Sequence, residues 1–82
     1  MNGITLPPGK RYSKRDICYL IMDPEVDLDQ PGAAKRITLE TLSRWLEKKP
    51  KIYSAMGITK QEYKRTRIFN DRQVMVVLGE FL

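Results

Sequence analysis

Ser13, Thr38, Thr59 and Asn70, all residues able to cap a helix, each stand ahead of a short apolar set, and Pro24, Pro31, Pro50 and Gly57 cut the chain between them. Asp16 follows Ser13 at capping-box spacing: the hydroxyl accepts from the third helical amide while the carboxylate reaches back to the amide of the cap. Ile17, Leu20 and Ile21 come next, so a short helix is expected from about Lys14 to Met22, stopped by Asp23-Pro24. Thr59 and Glu62 repeat the spacing and open a brief basic turn over Lys60 to Lys64. Asn70 precedes a first turn holding Asp71 and Gln73, and then Val74, Val77, Leu78 and Phe81. A chain punctuated this often supports an all-α (mainly α) fold, a small bundle of three to five short helices.

The middle helix has the strongest periodicity. Leu39, Leu42, Trp45, Leu46 and Lys49 recur at helical spacing, with Glu40, Arg44, Glu47 and Lys48 on the remaining surface and Glu40 placed to pair with Arg44. Leu42, Trp45 and Leu46 are expected to anchor the core. Its start is open: Thr38 can cap it, or Pro31, Ala33, Ala34 and Ile37 can extend it backwards by two turns. Residues 51–56 read as a helical turn carrying Ile52, Tyr53 and Met56, closed by Gly57 as the left-handed stop. Arg67-Ile68-Phe69 favours a minimal extended segment at 67–69, with Phe69 packed inward. Val74 to Leu78 suits a buried strand by composition, and the Asn70 cap tips the choice to helix. Residues 1–9, which contain Pro7-Pro8-Gly9, are expected to be a flexible arm, leaving a single helical domain over 10–82 with an acidic loop at 23–32.

Eighty-two residues leave room for one modest core, and 41% hydrophobic with 30% charged residues is the balance of a chain that folds. No apolar run approaches the roughly 20 residues that span a bilayer, and no apolar stretch follows a basic start, so a cytoplasmic protein without membrane contact is expected. Cys18 is the only cysteine and histidine is absent, which removes an internal disulfide, an imidazole base and a Cys/His zinc site. Flanked by Ile17 and Tyr19, Cys18 reads as a small buried residue. No residue set supplies a base, a nucleophile and an oxyanion site at recognisable spacing, so neither enzymatic activity nor a cofactor is expected. Asp23, Glu25, Asp27 and Asp29 alternate like the start of a calcium loop, but Leu28 and Ala34 stand where that loop needs glycine and glutamate. The stretch reads as an exposed acidic loop.

Charge placement is more informative than the net value of +5. Outside residues 23–29 fifteen basic side chains face six acidic ones, a local excess of +9. The basic residues gather as Lys10, Arg11, Lys14 and Arg15, as Lys48, Lys49 and Lys51, and as Lys60, Lys64, Arg65 and Arg67. Brought onto one face, they would neutralise several phosphates; scattered, they form a solvated surface.

The run Arg44-Trp45-Leu46, Lys49-Pro50, Arg67-Ile68-Phe69, Gln73-Val74 and Leu78-Gly79-Glu80 resembles a family of short, functionally uncharacterised proteins of Bacteroidetes bacteria, classed as a domain of unknown function, over roughly residues 12 to 82. That resemblance implies a first short helix, a second ending in the Arg-Trp motif and a turn, and a last helix opening after the Arg-x-Phe element. More remotely, the order is similar to excisionase and MerR-type helix-turn-helix proteins, which implies a helix-turn-helix-like bundle whose Arg-Trp helix enters the major groove of double-stranded DNA. Carried over by position, Thr41, Arg44 and Lys48 are the base readers, and Lys35, Arg36, Lys49 and Lys51 hold the backbone. Lys64, Arg65 and Arg67 are added as nucleic-acid contacts on the strength of their charge cluster alone. The chain departs from that pattern in its long acidic connection after the first helix and in lacking an alternating hairpin where a wing would stand. Arg44 has a second reading, an ion pair with Glu40 on a solvated face.

Two functions compete on these residues. One is a small helix-turn-helix-like nucleic-acid-binding protein, a transcription or mobile-element accessory factor. The other is a protein-interaction or adaptor module, motivated by Met75, Val76, Phe81 and Leu82, which exceed what one face of a short helix buries and so suit a homodimer through the C-terminal helix.

Overall fold

The cap residues read from the sequence do begin helices. Ser13 Oγ accepts from the Asp16 amide at 3.2 Å while the Ser13 amide donates to Asp16 Oδ2 at 2.9 Å, launching α1 over Lys14–Met22. Thr38 Oγ1 accepts from the Thr41 amide at 3.0 Å and starts α2 at Leu39–Lys48, which decides where that helix begins: residues 31–37 do not extend it. Pro50 leads into α3, Lys51–Met56, closed by Gly57 at φ 80°. Thr59 and Glu62 form the second capping box and open α4, Lys60–Arg65. Asn70 and Gln73 exchange a third reciprocal pair, 2.8 and 3.1 Å long, ahead of α5, Asp71–Phe81. The segment Val74 to Leu78 is therefore helical. The structure, a computed structural model, describes residues 6–81. Most of the arm expected over 1–9, and Leu82, lie outside the described residues; within that stretch Leu6 is buried in the core.

One pairing closes the chain on itself. β1, Arg11–Tyr12, and β2, Phe69–Asn70, run antiparallel, with Arg11 opposite Asn70 and Tyr12 opposite Phe69. The extended segment thus sits at 69–70, displaced toward α5 from the 67–69 read off the sequence. The architecture is mainly α: five helices and this two-stranded ribbon among the described residues.

α5 packs against both α1 and α3, and α1 also meets α2. Ile17, Cys18, Leu20 and Ile21 from α1 meet Val74, Val77 and Leu78 from α5, with Leu42 and Leu46, Ile52, Tyr53 and Met56, Tyr63 and Phe69 closing the remaining sides. Side chains of this size contribute roughly 1.5–3 kcal/mol each when fully buried, so one shared core accounts for five helices too short to persist alone. Trp45, expected as a core anchor, is only half-buried; its ring lies 5.3 Å from that of Phe81, centroid to centroid, at the rim. Leu39, at the first position of α2, is 46% exposed because the helix begins there and its first turn overhangs the core. Met75, Val76 and Phe81 are half-buried against the core of their own chain.

The acidic stretch is folded onto the body. Asp23 and Asp27 close local turns by accepting from the amides of Glu25 and Asp29, each at 3.0 Å. Val26 and Leu28 pack against the core between them, which leaves Asp23, Glu25, Asp27 and Asp29 exposed.

Candidate nucleic-acid interface

The ribbon brings two distant basic clusters together. Tyr12 and Phe69 are paired and buried, so the residues just after β1 and just before β2 emerge side by side. Ser13, Lys14 and Arg15, held by the first capping box, form one wall of a cleft of about 800 Å³; Lys64, Arg65, Thr66 and Arg67 form the other, and Leu39 lines it from the start of α2. The second wall owes its shape to the end of α4. Thr66 turns extended, its amide and hydroxyl both donating to the Glu62 carbonyl at 2.8 and 2.6 Å, and this directs Arg67 away from the helix.

Lys14 joins the walls. Its Nζ donates to the Lys64 carbonyl at 3.4 Å and stands 4.5 Å from the centroid of the Tyr63 ring. Burial holds this ammonium below its ordinary pKa. The cation–π contact and the carbonyl fix its position, which lowers the entropy lost when it meets an anion.

The cleft holds five cationic side chains and no carboxylate among its lining residues. The ion pairs among the described residues lie elsewhere: Arg44 with Glu40 at 3.4 Å, Lys49 with Glu80 at 3.2 Å, and Lys60 with Glu47 at 3.0 Å. The Lys60 hydrogen bond, more than its charge at a distance, holds the Glu47 carboxyl below the usual range. Lys14, Arg15, Lys64, Arg65 and Arg67 thus face one volume without a carboxylate partner, and mutual repulsion at that density favours any bound polyanion.

Of the residues singled out from the sequence, Lys64, Arg65 and Arg67 line this cleft. Thr41 is engaged in the cap of α2, accepting from the Thr38 hydroxyl at 2.8 Å. Arg44 is exposed and paired with Glu40. Lys48 and Lys49 flank Trp45 and Phe81 around a separate cleft of about 310 Å³, and Lys51 is exposed at the start of α3. Lys35 and Arg36 are exposed in the segment leading to α2. The carried-over base readers of α2 and the phosphate contacts of 64–67 are therefore not gathered into a single site. Lys14 and Arg15, visible in the sequence only as part of a basic run, complete the cleft instead. Their signal was the charge of the run; which residues across the fold it would meet was not encoded locally.

Other chemistry is sparse. Cys18 is fully buried, and burial pushes its thiol up, outweighing the opposing effect of Arg36. Among the described residues no three His, Cys, Asp or Glu side chains gather to hold a metal ion, and no helix is long and apolar enough to cross a membrane. No family model matches the chain, and no curated protein or solved structure matches it.

Proposed function

We propose that this protein binds nucleic acid by its phosphodiester backbone, in the cleft between the start of α1 and the end of α4. The observation that carries the proposal is the convergence of five cationic side chains from sequence positions 14–15 and 64–67 on one volume with no carboxylate lining it. Surface lysines scattered for solubility do not need a cleft, nor a lysine pinned inside it. A role as a transcription or mobile-element accessory factor draws on the same surface, with double-stranded DNA as one form of the ligand held by its backbone. The α2 residues Thr41, Arg44 and Lys48 then serve as secondary contacts.

Binding of labelled random-sequence duplex and single strand at about 50 and 200 mM salt tests the proposal. Neutralising three to five phosphates lowers affinity by roughly one to three orders of magnitude across that range. A Lys64→Glu/Arg67→Glu variant that remains folded is expected to lose most of the binding and flatten the salt slope, whereas Lys48→Glu/Lys51→Glu is expected to lose far less. Absence of binding to both ligands at low salt, or equal losses in the two variants, would overturn the cleft as the site.

A second reading, an interaction module, draws on the cleft of Trp45 and Phe81 beside Lys48 and Lys49. Light scattering on the same samples tests whether the chain first meets a second copy of itself.

A further inference from the structure

Tyr19 and Arg36 belong neither to the core nor to the cleft, yet they lie on its continuation. Tyr19 is half-buried on α1, four residues beyond Arg15, and side chains at that spacing are neighbours about 5–6 Å apart on one helix face. The segment leading into α2 runs alongside: the Ile37 amide donates to the Cys18 carbonyl at 3.4 Å, and two residues later Leu39 lines the cleft with Arg15. Arg36 lies in that segment. Its Nη1 donates to the Ile37 carbonyl at 3.5 Å and its guanidinium carbon stands 5.9 Å from the Tyr19 ring centroid. Arg36 is exposed, so a planar cation within cation–π reach of an aromatic ring is open to solvent.

We infer that the Arg36 and Tyr19 pair is a stacking station for an unpaired base, and that the ligand this surface prefers is a single strand of nucleic acid whose neighbouring phosphates lie in the cleft. This rests on the nucleic-acid reading above. Bases stack on aromatic rings and on arginine planes, and they can do so only when splayed from the backbone; in a duplex they are turned toward their partners. The other aromatic residues around the cleft cannot take this part, since Tyr12, Tyr63 and Phe69 are at most 3% exposed. The track also has an end. The Asp23 amide donates to the Tyr19 carbonyl at 2.9 Å, so the acidic loop begins one turn past the station and repels a phosphate that would follow.

Fluorescence anisotropy with labelled oligo-dT, oligo-U and a dT/dA duplex, each about 12 units long, tests the inference on the full chain. The expected result is single strands bound at least about tenfold more tightly than duplex. Tyr19→Ala and Arg36→Ala are each expected to weaken strand binding by roughly 5- to 100-fold, the range of one base stack, with duplex binding unchanged by Tyr19→Ala. Tyr19→Phe is expected to retain the strand affinity, and the salt slope of Tyr19→Ala to match that of the parent, because a stack carries no phosphate. Arg36 is on the surface, so its variant keeps the test sound even where Tyr19→Ala loosens α1. Whichever of dT and U is bound more tightly names DNA or RNA as the source of the strand. Duplex bound as tightly as strand, or Tyr19→Ala and Arg36→Ala without selective loss, overturns the station, while sensitivity to Lys64→Glu/Arg67→Glu leaves the cleft standing. No binding of any ligand removes the nucleic-acid reading itself.

Discussion

Tyr63 links the core to the cleft: its ring supports Lys14, while its hydroxyl is the one buried side-chain polar atom without a hydrogen-bond partner among the described residues. Burial drives the phenol far above its ordinary pKa, with Tyr53 and Cys18 adding to the effect and outweighing a weak opposing contact with the Ser43 hydroxyl that falls short of hydrogen-bond geometry. An unpartnered buried hydroxyl costs about 1 kcal/mol or more, so Tyr63→Phe is expected to hold or raise stability by up to about that amount in urea unfolding. The variant also carries a pH signature. The folded chain keeps the phenolic proton where the unfolded chain, titrating near the ordinary value of about 10, has released it. The Tyr63 contribution is therefore fully present below about pH 10 and is lost as the pH climbs beyond. Stability measured at pH 9 and at pH 11 is expected to fall less in Tyr63→Phe than in the parent. Tyr12 and Tyr53, raised chiefly by burial as well, leave a residual fall in both. Cys18, raised by the same cause, is expected to react with an aromatic disulfide reagent only at the rate of unfolding; immediate modification in the native state would contradict its burial.

Helix starts were legible in the sequence because capping is local: cap and partner stand three residues apart, and each reciprocal pair needs nothing from the rest of the chain. Ser13→Ala or Thr59→Ala is accordingly expected to cost about 1 kcal/mol in urea unfolding, a typical loss for a cap. Arg44→Ala, which breaks an exposed pair 3.4 Å long, is expected to change stability by no more than about 0.5 kcal/mol. The two capping boxes differ in a second readout. Ser13→Ala loosens the turn bearing Lys14 and Arg15, so it is expected to weaken strand binding several-fold beyond its stability cost, and Thr59→Ala, at the opposite end of α4 from Lys64 and Arg65, is expected not to. What the sequence hid was tertiary. Trp45 has the spacing of a core residue, but its position at the rim depends on where Phe81 ends α5. Likewise the basic runs at 10–15 and 60–67 carry no mark that they share a cleft; the ribbon of residues 11–12 with 69–70 determines that, and a two-residue strand leaves no period to detect. The apolar set of α5 divides for the same reason: contacts with α1 and α3 bury Val74, Val77 and Leu78 and leave Met75, Val76 and Phe81 half-buried.

On the scale of the whole molecule, α1 separates unlike charges. Its first turn lines the cationic cleft and its last turn runs into the loop of four exposed acids, and nine residues of helix set these ends about 13 Å apart. That distance exceeds the Debye length of about 10 Å at 0.1 M salt, so the acids screen the cleft weakly while repelling any phosphate brought past Tyr19. Replacing Asp23, Glu25, Asp27 and Asp29 with their amides raises the net charge from +5 to +9 and keeps the side-chain carbonyls that close the turns at 23–25 and 27–29. Two kinds of binding respond differently to that change. A protein held to nucleic acid by its overall charge gains affinity steeply, about as much as it loses when two cationic residues are reversed. One that grips through a cleft gains only a few-fold at about 50 mM salt and almost nothing at 200 mM, and its site size in nucleotides grows as the strand extends beyond the former barrier. The second outcome is expected, measured as strand affinity and site size for the amide variant at both salts. A gain comparable in size to the loss in Lys64→Glu/Arg67→Glu would mean that net charge, rather than the meeting of residues 14–15 with 64–67, governs binding.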